Sequence, residues 1–194
     1  MPFDVKLRVN LVISVLWIFR MNSQIKNQLD IANTHLKQGD FEQAVYLFQD
    51  AVNRSTTSVQ ARAGLAKALL RLNRSDEAVE HLLTALEYSP DNADISYNLG
   101  VAYHRQGKYQ SAIECYAAVS DSDAESPGDL HFNLGNAYQE MGKFHDAINS
   151  YRKALDVRPH DIDALKNLAV AYQRVNRDAD ARDCYERLNQ IREG

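Results

Sequence analysis

From Ile25 onward, apolar side chains recur at helical spacing in stretches of about 12–14 residues, each interrupted by a glycine or asparagine. The interrupting residues are Gly39, Asn73, Gly107, Gly142 and Asn176, 34 or 35 residues apart. Around each, the same residue types return at fixed offsets. Alanine follows five residues later at Ala44, Ala78, Ala112, Ala147 and Ala181. Phe48, Leu82, Tyr116, Tyr151 and Tyr185 follow nine later. A small residue stands seven before (Ala32, Ala66, Gly100, Gly135, Ala169), and Ile31, Leu65, Leu99, Leu134 and Leu168 stand eight before. Pro90 and Pro159 lie seventeen after their markers.

This pattern predicts an all-α chain of five tandem units, 25–58, 59–92, 93–127, 128–161 and 162–194, after an apolar segment at 1–24. Gly or Asn suits the left-handed residue that ends a helix. Proline stops the second helix of a unit and starts the turn to the next. One helix pair cannot bury its apolar stripe alone, whereas stacked pairs bury a continuous core and curve into a solenoid.

The set of positions resembles the tetratricopeptide repeat (TPR) family, most closely in "YNLGVAYHRQGKYQSAIECY" and "FNLGNAYQEMGKFHDAINSY". The resemblance covers residues 25–194 and implies a right-handed α-solenoid of antiparallel helix pairs. Unit one departs from it at Gln28 and His35, where bulky apolar residues are usual. Unit three has Val119 in place of alanine and one extra residue in "DSDAESPG".

The last unit turns polar where the others are mostly apolar. Val45, Val79, Ile113 and Ile148 are followed by Arg182, and Val52, Leu86, Ser120 and Leu155 by Asn189. A terminal repeat needs such an outer face, so the array is expected to end here. At the other end, Val9 to Phe19 form an apolar run of eleven residues. A membrane span needs about 20. Three readings stand: a short membrane anchor, an extra element packed on the first unit, or an over-extended start with Met21 as initiator. The expected location is cytoplasmic, or membrane-associated through residues 9–19.

The resemblance further implies that the first helix of each unit lines a concave groove. Position 6 of the units reads Asp30, Gly64, Asn98, Asn133 and Asn167. Three asparagine amides at one height, each donor and acceptor, suit the backbone of an extended peptide. They resemble the asparagine ladder of the O-linked N-acetylglucosamine transferase TPR domain, without its catalytic domain. Tyr97 and Phe132 at position 5 are candidate aromatic anchors, and Asn136 lies one turn from Phe132. One rim is mainly basic, with Lys37, Arg71, Arg105, Glu140 and Arg174 at position 13 and Lys67 at position 9. The other is acidic, with Asp94, Asp129 and Asp163. Sorted charge of this kind orients a peptide and favours acidic groups along the basic rim. The terminal-carboxylate clamp of chaperone-binding members is absent in every register.

Lys and Arg total 22 against 26 Asp and Glu, a net charge of -4, which disfavours a sequence-independent nucleic-acid binder. There is no P-loop, no dinucleotide-binding glycine motif, no His-Glu-x-x-His and no Cys-x-x-Cys. Cys115 and Cys184 read as structural thiols, and Ser75 in "LNRSDEA" as a helix cap. No enzyme activity, cofactor or metal is expected. The chain reads as a scaffold or adaptor holding a segment of another protein, extended or helical. The alternatives are a self-assembling or membrane-tethered scaffold, and an accessory subunit of a protein- or glycan-modifying enzyme.

Overall fold

A computed structural model describes residues 23–193, which form five helix pairs and, among these described residues, no strand. Helix α1 covers 23–38 of them and pairs with α2 (Phe41–Arg54). The next pairs are α3 (Val59–Arg71) with α4 (Ser75–Tyr88), and α5 (Ala93–Arg105) with α6 (Tyr109–Ala117). Then come α7 (Pro127–Glu140) with α8 (Phe144–Val157), and α9 (Ile162–Arg174) with α10 (Asp178–Glu193). Residues 9–19 lie outside the described part. No helix within it is long and apolar enough to cross a membrane.

Each pair is closed by the same local device. Gly39, Asn73, Gly107, Gly142 and Asn176 all take positive φ, between 57° and 88°. The residue after each sends its N–H back five positions, as in Arg74 to the Leu69 carbonyl and Lys143 to the Tyr138 carbonyl, both 2.9 Å. This closure places Arg74, rather than Ser75, at the N-cap of α4. Arg74 instead grips Glu77 through two bonds of 2.6 and 2.7 Å. The expected serine cap fails because the turn leaves no separate residue to serve as one. Side-chain caps appear at the first helices of the pairs. Ser58, Asn92, Ser126 and Asp161 accept the N–H groups of Ala61, Ile95, Asp129 and Ala164.

Alanine and glycine let the helices close together. Ala44, Ala78, Ala112 and Ala147 are fully buried. A Cβ on Gly100 would stand 2.5 Å from the Tyr116 ring, and one on Gly135 2.6 Å from the Tyr151 ring. The apolar core runs unbroken along the array: Val101 joins its first part to the middle, and Tyr138 joins the middle to the last. Helices α3, α5, α7 and α9 touch in succession, whereas α4, α6, α8 and α10 do not meet one another. The first helices are thus crowded on the inner side and the second fan outward, which curves the solenoid with a concave face of first helices. On the last helix, Arg182 and Asn189 are exposed.

Helix α6 has only 9 residues, shorter than the 12–14 expected from its period. The segment that follows makes a turn of its own. Ser120 accepts the Ala124 N–H through its carbonyl at 3.0 Å and donates its hydroxyl to Asp123 at 2.5 Å. These bonds close a separate turn at 120–124 instead of continuing the helix. The Asp121 carboxylate then lies 2.9 Å from Nε2 of the buried His131 in α7, fixing the turn against the next unit.

Candidate functional site

Tyr116 and Tyr151, nine residues after their turns, reach inward from the second helix over Gly100 and Gly135 of its partner. Tyr151 there meets the polar side chains of the first helix. Tyr151 Oη donates to Asn136 Oδ1 at 2.8 Å, and the same oxygen accepts from Asn167 Nδ2 at 2.9 Å. One bridge therefore ties α7, α8 and α9. In the preceding unit Val101 replaces asparagine at the position of Asn136. Asn133 bonds elsewhere, donating its Nδ2 to Tyr97 Oη at 2.8 Å. Asn98 donates within its own helix, to the Asp94 carbonyl at 2.7 Å and carboxylate at 3.2 Å. The three asparagines are thus not equivalent, and each Nδ2 already has a partner inside the chain. Burial lifts the phenol pKa values of Tyr97, Tyr116 and Tyr151, which stay protonated donors across the physiological range.

Tyr97 and Phe132 are both half-buried in neighbouring first helices. The Tyr97 ring packs 5.8 Å from Tyr116 and the Phe132 ring 6.0 Å from Tyr151, tilted in both cases. Their exposed edges face the groove while their bodies belong to the core.

The two rims differ in how their charges are spent. Asp94 meets Lys67 at 2.9 Å, Asp129 meets Arg158 at 2.7 Å and Asp163 meets Lys166 at 3.4 Å. Lys67 also lies 3.7 Å from Glu125, which enters the groove on the turn after α6. The three arginines of the basic rim have no such compensation. Arg71 lies over the Phe41 ring at 5.0 Å, and Arg174 over Phe144 at 5.7 Å. Arg105 donates to the Leu70 carbonyl and to Asn73 Oδ1, the latter at 3.4 Å. None of the three arginines has a carboxylate partner among the described residues.

Two cavities flank Lys67, Tyr97 and Asn98. One, of about 340 Å³, is bounded by Asp94, Asp129 and the turn at Ala124 to Ser126. The other, of about 280 Å³, is bounded by Leu36, Phe41, Leu70 and Val101, and by Arg71 and Arg105. Sequence reasoning missed Glu125, Leu36 and Phe41 as groove residues. The extra residue of unit three was the one signal available for Glu125. The thiols Cys115 and Cys184 are both free, and burial pushes Cys115 up to about 11, which keeps it in the thiol form at neutral pH. Among the described residues no three His, Cys, Asp or Glu side chains are grouped to share a metal ion.

Tetratricopeptide repeat sequence models match residues 35–87, 63–129, 128–161 and 164–194. The chain belongs to the tetratricopeptide repeat family. The TPR fold is also that of MamA. One crystal structure of MamA superposes with a TM-score of 0.77 at 22% identity, over 89% of this chain and 93% of that one. A second, MamA AMB-1, gives 0.75 at 26% identity, over 89% and 94%. Among curated proteins, a TPR repeat-containing protein of Methanocaldococcus jannaschii is 31% identical over 77 residues, 40% of this chain. Anaphase-promoting complex subunit 3 of Schizosaccharomyces pombe is 26% identical over 92 residues, 47% of this chain. Each match spans only 14% of that relative's own length. As a TPR protein the chain has the fold of a protein-interaction scaffold.

Proposed function

We propose that the chain is a non-catalytic adaptor that holds an acidic segment of a partner protein in its concave groove. The observation that carries this reading is the unequal use of charge. The acidic rim is neutralised by lysine and arginine within the chain, whereas Arg71, Arg105 and Arg174 have no carboxylate partner among the described residues. Carboxylates of a partner supply what that rim lacks, and they steer its approach. The asparagines Asn98, Asn133 and Asn167 contribute to backbone pairing by exchanging an internal bond for one to the partner. The exposed edges of Tyr97 and Phe132 add apolar contact. A preformed groove lowers the ordering cost on the scaffold's side.

The test is affinity capture from native extract with the full chain, beside the triple variant Arg71→Glu, Arg105→Glu and Arg174→Glu. Circular dichroism checks that the variant is folded. A partner held by the first and lost by the second supports the groove. The same partners on both baits move the function to the convex face or the ends of the array.

A further inference from the structure

The basic rim is not uniform along its length. The cavity of about 280 Å³ between the first three units combines a hydrocarbon wall with fixed positive charge. Leu36 closes it from α1, Phe41 from α2, Leu70 from α3 and Val101 from α5. The two guanidinium groups that line it are held in place before any ligand arrives. Arg71 is stacked 5.0 Å from the Phe41 ring centre, and Arg105 is tied to the Leu70 carbonyl. Lys67, at the far side, is already engaged by Asp94 at 2.9 Å and adds little free charge.

These features narrow the chemistry of the occupant. A wholly polar ligand would leave the wall of leucine, valine and phenylalanine facing water. A wholly apolar one would strip water from two guanidinium groups and give them no partner, which is unfavourable. A chain that offers a large apolar side chain and a neighbouring carboxylate satisfies both surfaces at once. Arginine suits this role, since its planar fork pairs bidentately with carboxylate while its face stays on an aromatic ring. We infer that this cavity is the anchor point for a partner segment in which a leucine or aromatic residue stands directly beside aspartate or glutamate. The inference rests on the groove reading and adds to it the place and the side-chain class.

Random twelve-residue peptides displayed on phage are selected against three folded forms of the full chain: the native sequence, Arg71→Gln with Arg105→Gln, and Arg174→Gln with Asn167→Ala. The native chain is expected to enrich peptides with leucine or an aromatic residue next to Asp or Glu. An enriched peptide should bind the first variant about 10-fold more weakly, and the loss on the second variant should be at least about 3-fold smaller. Replacing its apolar residue by serine should weaken it by about 10-fold or more, as expected for a buried side chain of that size. Acidic peptides that lose affinity only for the second variant would overturn the assignment and leave the groove reading standing. Peptides indifferent to both variants, or no enrichment at all, would count against both. Enrichment of basic peptides would overturn the cavity assignment. So would a dimer in light scattering that Arg71→Gln with Arg105→Gln dissolves, since a second copy would then be the occupant.

Discussion

Asn136 is the sharpest point at which to test the polar bridge of the last two units. Its Oδ1 accepts from Tyr151 Oη at 2.8 Å and from Asn167 Nδ2 at 2.9 Å. Tyr151 is completely buried, so Asn136→Ala leaves its hydroxyl proton with only Gln139 Oε1, at 3.4 Å, as a recorded acceptor. A buried donor left unsatisfied costs about 1–3 kcal/mol. Asn167 is half-buried and recovers its bond in water. Alanine gains up to about 0.7 kcal/mol of helix propensity over asparagine. The net expectation is a loss of about 1–2 kcal/mol, or about 2–8 °C in melting temperature for an array of this size. Removing the orphaned donor as well, in Asn136→Ala with Tyr151→Phe, should restore about 1 kcal/mol relative to the single alanine variant. Urea unfolding gives the stabilities. Hydrogen exchange in α7 to α9 shows whether the loss is local, since repeat arrays need not unfold as one unit. If the double variant is destabilised by the sum of its two single variants, Tyr151 and Asn136 are not coupled and the bridge is energetically idle.

Two further outcomes follow from the turns and two half-buried histidines. Asn73 sits at φ 59°, so Asn73→Ala should cost about 1 kcal/mol while Asn73→Gly is neutral or slightly stabilising. Equal melting temperatures for the two would show that the turn does not depend on its left-handed residue. Burial holds the imidazoles of His81 and His104 below their ordinary pKa, with Arg62 beside His81 adding to the effect. Because the folded chain favours the neutral rings, their contribution is present above the unfolded-state value of about 6.5 and is lost as pH falls through that value and below. The melting temperature of His81→Gln with His104→Gln should therefore fall less between pH 7 and pH 5 than that of the native chain. Parallel pH profiles would refute this.

The sequence by itself determined the repeating architecture. The period, the alanine and glycine positions and the five left-handed turns are local properties, and each is written in the residue that carries it out. A glycine or asparagine at positive φ needs no distant partner, so Gly39, Asn73, Gly107, Gly142 and Asn176 were legible without coordinates. The charge sorting of the rims was legible for the same reason, because position 13 recurs once per unit. The destination of each polar side chain was not. Asn98, Asn133 and Asn167 occupy one position of the repeat, yet they bond to a helix carbonyl, a tyrosine and another asparagine. Their partners are chosen by neighbours from other units, and exchanging Val101 for Asn136 at the equivalent position redirects the bond. Likewise the approach of Glu125 to Lys67 joins two units, and the cavity lined by Leu36, Phe41, Leu70 and Val101 draws on three. Only the packed superhelix brings them together, because it fixes the distance and rotation between units that the periodicity of one strand of sequence leaves open.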